Sequence, residues 1–553
     1  MEKRIFLAVV ISIAILALWG AVVPKLFPEF AKQQQKQQQS AQKPVRGAQT
    51  TTSATTTTTS SAPASKPGSS SVAAAPVTPP VAAAAETQTI IEGNDYVARF
   101  SNRGGVLVSY RLKHYTGKQK EPLELVKGRD ASRSDFPFAL ETRDMNLSRR
   151  LDNAFYAVTK RVDRGATVLE YRYSDGSISA AKTFRFGADY PFDFSINVTP
   201  AVPYRVVVGP GIRTLAPEER DSQFIITGNG VVQIDDKLKI LSREKADRIS
   251  AIPNAQFVGI EDNYFLTALR PTHSGDGIIR RAEFPDVDKK QPRKELYAGL
   301  NAASDGTVAG SAFFGPKQTK ILEKFGYAST LQFGFFGFIG RVLLEVLIWL
   351  NGITHNYGWA IIVLTIIIKI VLYPLQHKSI VSMKKMQRVQ PKIEAIKNKY
   401  KKARSDAEQR QKMNVEMMKL YQVEGINPMG GCLPIALQLP ILWGFYGLLS
   451  RAIELRGAPF MLWIHDLSAK DPLYITPLLM TITMFIQQMM TPTTVDPAQR
   501  RMFLIMPLVF GWIFKEFPSG LVLYWLVQNI LTIIQTMIMN RYWKEHPAEL
   551  NKD

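Results

Sequence analysis

The most constraining feature of this sequence is an apolar run at residues 357–375 that carries one full charge, Lys369. About 20 mostly apolar residues are enough to cross a bilayer as a helix. A lysine near the centre of such a helix costs about 2.5–3.5 kcal/mol on insertion scales, so a charge retained there usually serves a function. Lys369 therefore needs a physical explanation.

Two explanations for Lys369 are open. Its aliphatic stem could snorkel to an interface, since Tyr373 and Pro374 follow about one helical turn later. Alternatively, the ammonium faces water inside a helical bundle. The later apolar runs contain no Asp or Glu to pair with it. The apolar runs do contain neutral polar residues, namely Thr365, Gln438, Thr481, Thr483, Gln487, Gln488, Gln528, Asn529 and Thr532. A cation among such groups predicts a hydrated cavity that attracts polar or acidic groups of a visiting molecule.

Composition agrees with a membrane protein. The chain has 553 residues, a net charge of +21 and 46% hydrophobic residues, which is typical of membrane spans flanked by basic segments. Nucleic acid is the competing partner for this charge. A single cysteine, Cys432, excludes a disulfide framework or a cysteine-based metal site within one chain.

The N-terminal region divides into an anchor and a linker. Residues 1–24 contain an unbroken apolar run after Lys3 and Arg4, without a following small-residue cleavage site, and predict an uncleaved transmembrane anchor. Cleavage after about Ala21 is the alternative. Residues 25–86 are rich in Gln, Thr, Ser, Ala and Pro, and predict a flexible linker.

Period-two alternation dominates residues 87–325 and predicts an antiparallel β-domain. A hairpin is expected from residues 96–100 and 106–112 with a turn at 102–105, and later strands repeat the pattern. Helical periodicity is scarce, so a large β-sandwich is the predicted fold. The isolated histidines and the absence of a complete phosphate-binding loop in this region predict that it is not an enzyme.

The C-terminal half predicts a helical membrane core. Residues 329–351 carry Arg341 and Glu345 on one helix face and are expected to form an interfacial amphipathic helix, with a genuine span as the alternative. Transmembrane helix 2 is expected at 354–375. Residues 427–540 are expected to hold transmembrane helices 3–6, followed by a short tail at 541–553.

A basic segment at residues 376–426 sets the predicted orientation. It holds thirteen Lys and Arg against five Asp and Glu, so it is expected in the cytoplasm. The positions Met386, Val389, Ile393, Ile396 and Tyr400 form an apolar seam, and a capping box from Ser405 to Glu408 starts a second helix. Residues 376–426 are therefore predicted to form a cytoplasmic helical hairpin. Ser405 should then be cytoplasmic, and Ser174 and Lys470 periplasmic.

Five segments of the C-terminal half carry a family resemblance. They are LYPLQHKSIVSMKKMQRVQPKI, YQVEGINPMGGCLPIALQLPI, APFMLWIHDLSAKDP, MTPTTVDP and FPSGLVLYW. By the sequence and the order of these segments, the chain resembles the YidC branch of the YidC/Oxa/Alb membrane protein insertases, in the form found in Gram-negative bacteria. The resemblance covers residues 1 to about 545 and is tightest over 357–540.

This resemblance implies a function without a cofactor. It implies a hydrophilic groove that is open to cytoplasm and lipid, is closed to the periplasm, and receives hydrophilic parts of nascent membrane proteins. The groove's positive residue falls on Lys369, where the bacterial family usually has Arg. Thr365 and Gln438 are its polar candidates, and Tyr524 and Trp525 match an aromatic pair, with Trp525 at a position that is more often Tyr.

The implied partners are nascent membrane proteins, the Sec translocon, the ribosome through the cytoplasmic hairpin, and membrane lipids, but not DNA. The implied location is the bacterial inner membrane, with both termini cytoplasmic. A secondary transporter is a rival interpretation, but the chain shows no inverted repeat. A membrane-anchored carbohydrate enzyme is a second rival, but no convincing catalytic pair is present.

Overall fold

The computed structural model describes residues 79–545 with gaps. The gaps are 118–120, 128–135, 214–225, 227, 245, 247–248, 274, 285–292, 401–405, 427–432 and 491–496. The predicted anchor at 1–24, the linker as far as residue 78, and residues 546–553 of the tail lie outside the described residues, as do Ser405 and Cys432.

The alternating segments form an antiparallel β-domain. Its described strands are β1 (Gln88–Glu92), β2 (Tyr96–Ser101), β3 (Val106–Thr116), β4 (Pro122–Glu124), β5 (Ala139–Thr142), β6 (Ala157–Asp163), β7 (Ala166–Ser174), β8 (Ser179–Phe186), β9 (Phe192–Thr199), β10 (Tyr204–Val208), β11 (Asn229–Ile234), β12 (Lys237–Leu241), β13 (Ile249–Ala255), β14 (Phe257–Glu261), β15 (Phe265–Pro271), β16 (Gly275–Phe284), β17 (Arg293–Asn301) and β18 (Thr307–Pro316). The predicted hairpin is confirmed, because β2 pairs with β3 in antiparallel register. Gly104 in its turn has a φ of +80°, and a Cβ there would lie 2.6 Å from the Asp152 carbonyl oxygen, so the turn requires glycine.

The strands are arranged in three sheets that form two layers. One layer is a nine-stranded sheet in the order β12-β11-β14-β15-β18-β9-β8-β7-β6. The other layer consists of a four-stranded sheet, β1-β2-β3-β4, and a five-stranded sheet, β13-β16-β17-β10-β5. Phe100 of β2 packs on Phe184 of β8 with ring centroids 4.6 Å apart, while Gly230 of β11 lies against Ile279 of β16. Both smaller sheets therefore pack on the large one, which confirms the predicted β-sandwich.

A lysine lies inside this sandwich. Lys182 of β8 is fully buried, and its Nζ donates hydrogen bonds to the carbonyl oxygens of Gly104 (2.6 Å) and Phe138 (2.7 Å). Burial lowers the pKa of Lys182 from 10.5 to about 8, and the negative charge of Asp152 opposes part of that shift. Lys182 thereby ties a central strand to two turns of the opposite layer.

The C-terminal half is helical. The described helices of the chain are α1 (Met145–Asn153) and α2 (Thr319–Lys324) in the β-domain, then α3 (Gly337–Thr354), α4 (Tyr357–Val371), α5 (Tyr373–Lys399), α6 (Ala407–Val423), α7 (Leu433–Leu449), α8 (Ile475–Met490), α9 (Pro497–Phe514) and α10 (Ser519–Glu545). The helix α10 packs against α4, α7 and α8, while α3 packs against α4 and α7. By length and composition α3 and α10 could each cross a membrane, and α4 with α5 could form a third, broken span.

The predicted helix at 329–351 has different bounds in the structure. Ala328–Thr330 form a 3-10 turn, Gly334 has a φ of +86°, and the regular helix α3 begins only at Gly337. Arg341 and Glu345 are both exposed, as expected for one helix face. By length and composition α3 is also apolar and long enough to span a membrane.

The predicted single helix at 354–375 is broken. Asn356 caps α4, its side-chain oxygen accepting hydrogen bonds from the backbone N–H groups of Gly358 and Trp359. The helix ends at Val371 with Leu372 as its C-terminal cap, and α5 continues at an angle of 64°. Pro374 explains the break, because proline lacks an N–H group and its ring clashes with the preceding turn.

The helices α5 and α6 form the predicted antiparallel hairpin. Val389 and Ile393 are buried against Ile426, and Lys399 of α5 pairs with Glu416 of α6 at 3.0 Å. The predicted capping box is displaced by one residue: Asp406, rather than Ser405, caps α6 by accepting from the N–H groups of Glu408 and Gln409. A carboxylate is as good a cap as a hydroxyl, and local sequence does not choose between them.

The β-domain is joined to the helical bundle by the loop between α7 and α8. Asn263, between β14 and β15, donates from Nδ2 to the carbonyl oxygen of Ser450 at 2.6 Å. The guanidinium of Arg456 lies over the rings of Tyr264 and Phe265. Glu454 accepts a hydrogen bond from the N–H of Thr319, and burial raises the pKa of its carboxyl group. The contacts of Asn263, Arg456 and Glu454 together form what we call the loop joint.

Candidate functional site

The charge at Lys369 is buried in the bundle. Lys369 lies on α4 and is only 8% exposed. Its Nζ donates a hydrogen bond to the Thr532 hydroxyl of α10 at 2.8 Å. Within the described residues it forms no ion pair with a carboxylate. The side chain therefore points towards α10 and not along α4 to the surface, a geometry that favours an interior charge over a snorkelling one.

A chain of neutral polar groups extends from this lysine. The Thr532 hydroxyl donates to the backbone oxygen of Gln528 at 2.8 Å, and the Gln528 Nε2 donates to the Gln438 Oε1 at 3.3 Å. Gln438 in turn donates from Nε2 to the Tyr524 hydroxyl at 2.6 Å. The network links α4, α7 and α10 and brings three of the predicted site residues together: Lys369, Gln438 and Tyr524.

Tyr524 is held rigidly at the end of this network. Its side chain is fully buried, and its ring stacks on Phe445 of α7 with centroids 4.4 Å apart and planes 19° apart. Stacked aromatic rings stabilise such a contact beyond simple burial. The Tyr524 hydroxyl is therefore fixed in place, and the Gln438 amide has a defined partner.

The remaining predicted residues, Thr365 and Trp525, lie beside the network. Thr365 is fully buried one turn before Lys369, but its hydroxyl donates to the backbone oxygen of Ile361 at 2.6 Å. Trp525 is half-buried and faces α9, where its ring lies 5.3 Å from Phe514 and 6.3 Å from Phe510. Adjacent residues of a helix point about 100° apart, so Tyr524 and Trp525 face different neighbours.

Sequence reasoning missed four residues of this region. Gln528 and Thr532 were recognised only as members of a polar set, although both belong to the network around Lys369. Gln376 and Gln535 are buried as well, and each has a side-chain polar atom without a hydrogen-bond partner among the residues that the structure describes. The signal that could have found Gln528, Thr532 and Gln535 is their spacing of three and four residues along α10.

The end of the bundle nearest the β-domain is closed. Phe460, in the loop between α7 and α8, packs closely on Gly358. A Cβ added to Gly358 would lie 2.0 Å from the Phe460 ring. Asn356 donates from Nδ2 to the Phe460 carbonyl oxygen at 2.9 Å. The N–H groups of Ser519 and Gly520 donate to the same loop at 2.7 and 3.0 Å. The polar network is thus covered on this side by a packed loop.

Two family models match this chain. The model of the 60Kd inner membrane protein matches residues 349–546, and that of the YidC periplasmic domain matches residues 88–346. The strands of the β-domain fall within the residues matched by the YidC periplasmic domain model. The helices from α4 to α10 fall within the residues matched by the 60Kd inner membrane protein model.

Relatives with curated descriptions extend the match. The membrane protein insertase YidC of Geobacter sulfurreducens is 37% identical over 464 residues, covering 81% of this chain and 85% of the relative. The YidC of Geobacter metallireducens is 36% identical over 480 residues, covering 82% and 86%. A crystal structure of active YidC insertase with its first transmembrane domain resolved is 20% identical, covers 84% of this chain and 94% of that one, and has a TM-score of 0.37. From the family models and the identities over most of its length, the chain belongs to the YidC family of membrane protein insertases.

Proposed function

We propose that this protein inserts client membrane proteins through a groove formed by Lys369, Thr365, Gln438, Tyr524 and Trp525. The observation that carries the proposal is the buried ammonium of Lys369, which is held by a hydroxyl and has no carboxylate partner among the described residues. An interior cation without a counter-ion can attract the acidic and polar groups of a client.

The mechanism is physical and breaks no covalent bond. A short hydrophilic segment of the nascent client enters among the amides and hydroxyls beside Lys369, which lowers the free energy of moving polar groups partway across the membrane. The client's apolar segment then moves into lipid along the Trp525 side. Burial of about 20 apolar residues supplies the driving force, so no cofactor or nucleotide is needed.

Lysine changes the selectivity of such a groove relative to arginine. Both side chains are cationic at neutral pH, but lysine lacks the planar fork that binds a carboxylate through two parallel hydrogen bonds. The Lys369 ammonium therefore attracts acidic groups electrostatically with a loose requirement for geometry. Among the described residues the ammonium donates to Thr532 alone, which leaves further N–H donors for a client.

The proposed setting is the bacterial inner membrane, with the β-domain periplasmic and both termini cytoplasmic. The excess of basic residues at 376–426 supports a cytoplasmic hairpin. That hairpin is a candidate surface for the ribosome or anionic lipids, and the Sec translocon is a candidate partner within the membrane. The packed loop over Gly358 supports a groove that is closed on the periplasmic side.

Photocrosslinking to a stalled client tests the proposal. A photoreactive amino acid at position 525 or 438 should crosslink to a ribosome-bound nascent membrane protein. The same group at Met537, which is 57% exposed on α10, serves as a control on the outer surface of the bundle. Crosslinks from 537 but from neither 438 nor 525 would place the client outside the proposed groove.

A further inference from the structure

Two buried glutamines follow members of the polar network along the chain without belonging to it: Gln376 comes seven residues after Lys369, and Gln535 comes three residues after Thr532. Gln376 of α5 is 6% exposed, and Gln535 of α10 is 9% exposed. Within the described residues, the Gln376 Oε1 and both polar atoms of the Gln535 side chain have no hydrogen-bond partner. Buried amide groups without a partner are rare in folded proteins and call for an explanation.

Neighbouring contacts place both amides in one short interval of the bundle. On one side, Lys369 contacts Thr532 of α10. On the other side, an apolar cluster joins α5 to α10; its buried members are Ile380, Val381, Met539 and Trp543. Gln376 precedes Ile380 by one helical turn, and Gln535 precedes Met539 by one turn. Both glutamines therefore lie between Lys369 and the far end of the α5–α10 contact.

The chemistry of the amide group indicates what it would bind. A glutamine side chain offers N–H donors and a C=O acceptor, the two kinds of group that a peptide bond also carries. An extended polypeptide that enters an apolar region has unpaired N–H and C=O groups at every residue, unlike a helix, which pairs its own. Unpaired side-chain amides in the bundle and unpaired peptide groups in a client are complementary.

We propose that Gln376 and Gln535 bind the main chain of a client's hydrophilic segment, next to the charge at Lys369. The inference rests on the proposed insertase function and deepens it by assigning a second kind of recognition. Lys369 discriminates between clients by charge. The two amides contact groups that every polypeptide shares, so their contribution is independent of the client's side chains.

The test compares three clients that differ only in the charge of the translocated segment: acidic, neutral and basic. Insertion is measured by protease protection in cells that depend on the variant. Gln376→Leu and Gln535→Leu should each reduce insertion by about three- to tenfold, the effect of one lost hydrogen bond, and equally for the three clients. Lys369→Ala should give a reduction that is graded by client charge.

Met537→Leu is the matched control, because Met537 lies on the same helix α10 as Gln535 but is 57% exposed. It should leave insertion of all three clients unchanged. Membrane levels of each variant are measured in parallel. Leucine in place of an unpaired buried amide should not lower the amount of folded protein.

Disulfide crosslinking provides a readout that does not depend on activity. With Cys432 replaced by serine, a cysteine at position 535 should form a disulfide with single cysteines placed along the translocated segment of a stalled client. A cysteine at position 537, on the outer surface of α10, should not. Absence of any disulfide from position 535 would overturn the proposal even if the leucine variants accumulate poorly.

The remaining outcomes separate this inference from the proposed function. Normal insertion by both leucine variants, with Lys369→Ala still impaired, would show that water satisfies the amides and would overturn the inference alone. A defect of the leucine variants that follows client charge would overturn main-chain recognition. Normal insertion by all three variants would overturn the proposed groove itself.

Discussion

Asn263 of the β-domain and Ser450 at the end of α7 are joined by a buried hydrogen bond of 2.6 Å from the Asn263 Nδ2 to the Ser450 carbonyl oxygen. The Asn263 Oδ1 also accepts a hydrogen bond from the N–H of Ile226 at 2.6 Å. One side chain thus connects a strand turn of the β-domain, a neighbouring loop and the helical core. The β-domain is consequently held to the core by the loop joint as well as by the chain that leads into α3.

Substitution of Asn263 should loosen the loop joint. Asn263→Leu leaves the Ser450 carbonyl oxygen and the Ile226 N–H without partners, which should lower the free energy of unfolding by about 1–3 kcal/mol. Limited proteolysis of the full-length protein in detergent should show faster cleavage near residues 450–471. Asn146→Leu, at an exposed position of α1, is the control. Equal cleavage rates for both variants would contradict a stabilising role for the joint.

Deletion of most of the β-domain should leave insertion measurable. Residues 95–310 contribute none of the hydrogen bonds of the Lys369 network, which lies within α4, α7 and α10. The deletion removes Asn263, so reduced stability is expected alongside retained function. Complementation of a depleted strain measures the retained function, and the membrane level of the truncated protein measures its stability. A truncated protein that accumulates normally but inserts no client would show that the β-domain is required for activity.

Substitutions of Lys369 should separate charge from geometry. Lys369→Arg should retain insertion, while Lys369→Ala and Lys369→Glu should impair it, with Glu worst for clients whose translocated segments are acidic. The expected loss is about 1–4 kcal/mol, the range between a charge pair 4 Å apart in water and at an effective dielectric constant near 20. Lys544→Ala, at an exposed site of α10 outside the hairpin, is the matched control.

Client insertion by protease protection, with variant levels checked, is the measurement for Lys369. A lysine that only snorkels would give the opposite result, since removing its charge would make the span easier to insert and leave clients unaffected. Normal insertion of acidic and neutral clients by Lys369→Ala would therefore exclude a groove charge.

The buried Lys182 should make stability depend on pH in the alkaline range. Burial lowers its pKa in the folded protein to about 8, below the value of 10.5 for an exposed lysine. Between these values the unfolded chain binds more protons than the folded one, so the free energy of unfolding rises as pH increases from about 8 to about 10.5. The rise should be about 3 kcal/mol, at about 1.36 kcal/mol for each pKa unit.

Chemical denaturation of the full-length protein, followed by circular dichroism across this pH range, tests the effect of Lys182. Lys182→Met should lack the rise, whereas Lys160→Met, at an exposed position of β6, should retain it. Parallel pH profiles for wild type and Lys182→Met would mean that Lys182 stays charged in the folded domain.

Cysteine labelling should establish the orientation. With Cys432 replaced by serine, a membrane-impermeant thiol reagent applied to intact cells with a permeabilised outer membrane should label cysteines at Ser177 and Lys470, but not at Gln411. Ser177 replaces Ser174 for this purpose, because Ser174 is only 4% exposed whereas Ser177 in the same turn is exposed. Labelling at position 411 from outside would reverse the orientation and favour α3 as a true span.

The sequence by itself determined the β-sandwich, the helical core, the hairpin and the isolated charge at Lys369. These features depend on local patterns: residues of alternating polarity build strands such as β2 and β3, and apolar runs build helices such as α4 and α10. The break at Leu372 was not predicted, because the prediction placed a single helix at 354–375, which runs through Pro374.

Only the tertiary structure decided which polar side chains meet. Lys369 and Thr532 lie 163 positions apart in the chain, and Gln438 and Tyr524 lie 86 apart, so no local pattern could pair them. The same holds for Trp525, which faces α9 rather than the network. It also holds for the Gln376 Oε1 and the Gln535 amide, which have no hydrogen-bond partner in the part of the chain that the structure describes. Periodicity fixes the face of a helix on which a residue lies, whereas helix packing fixes which neighbouring helix that face contacts.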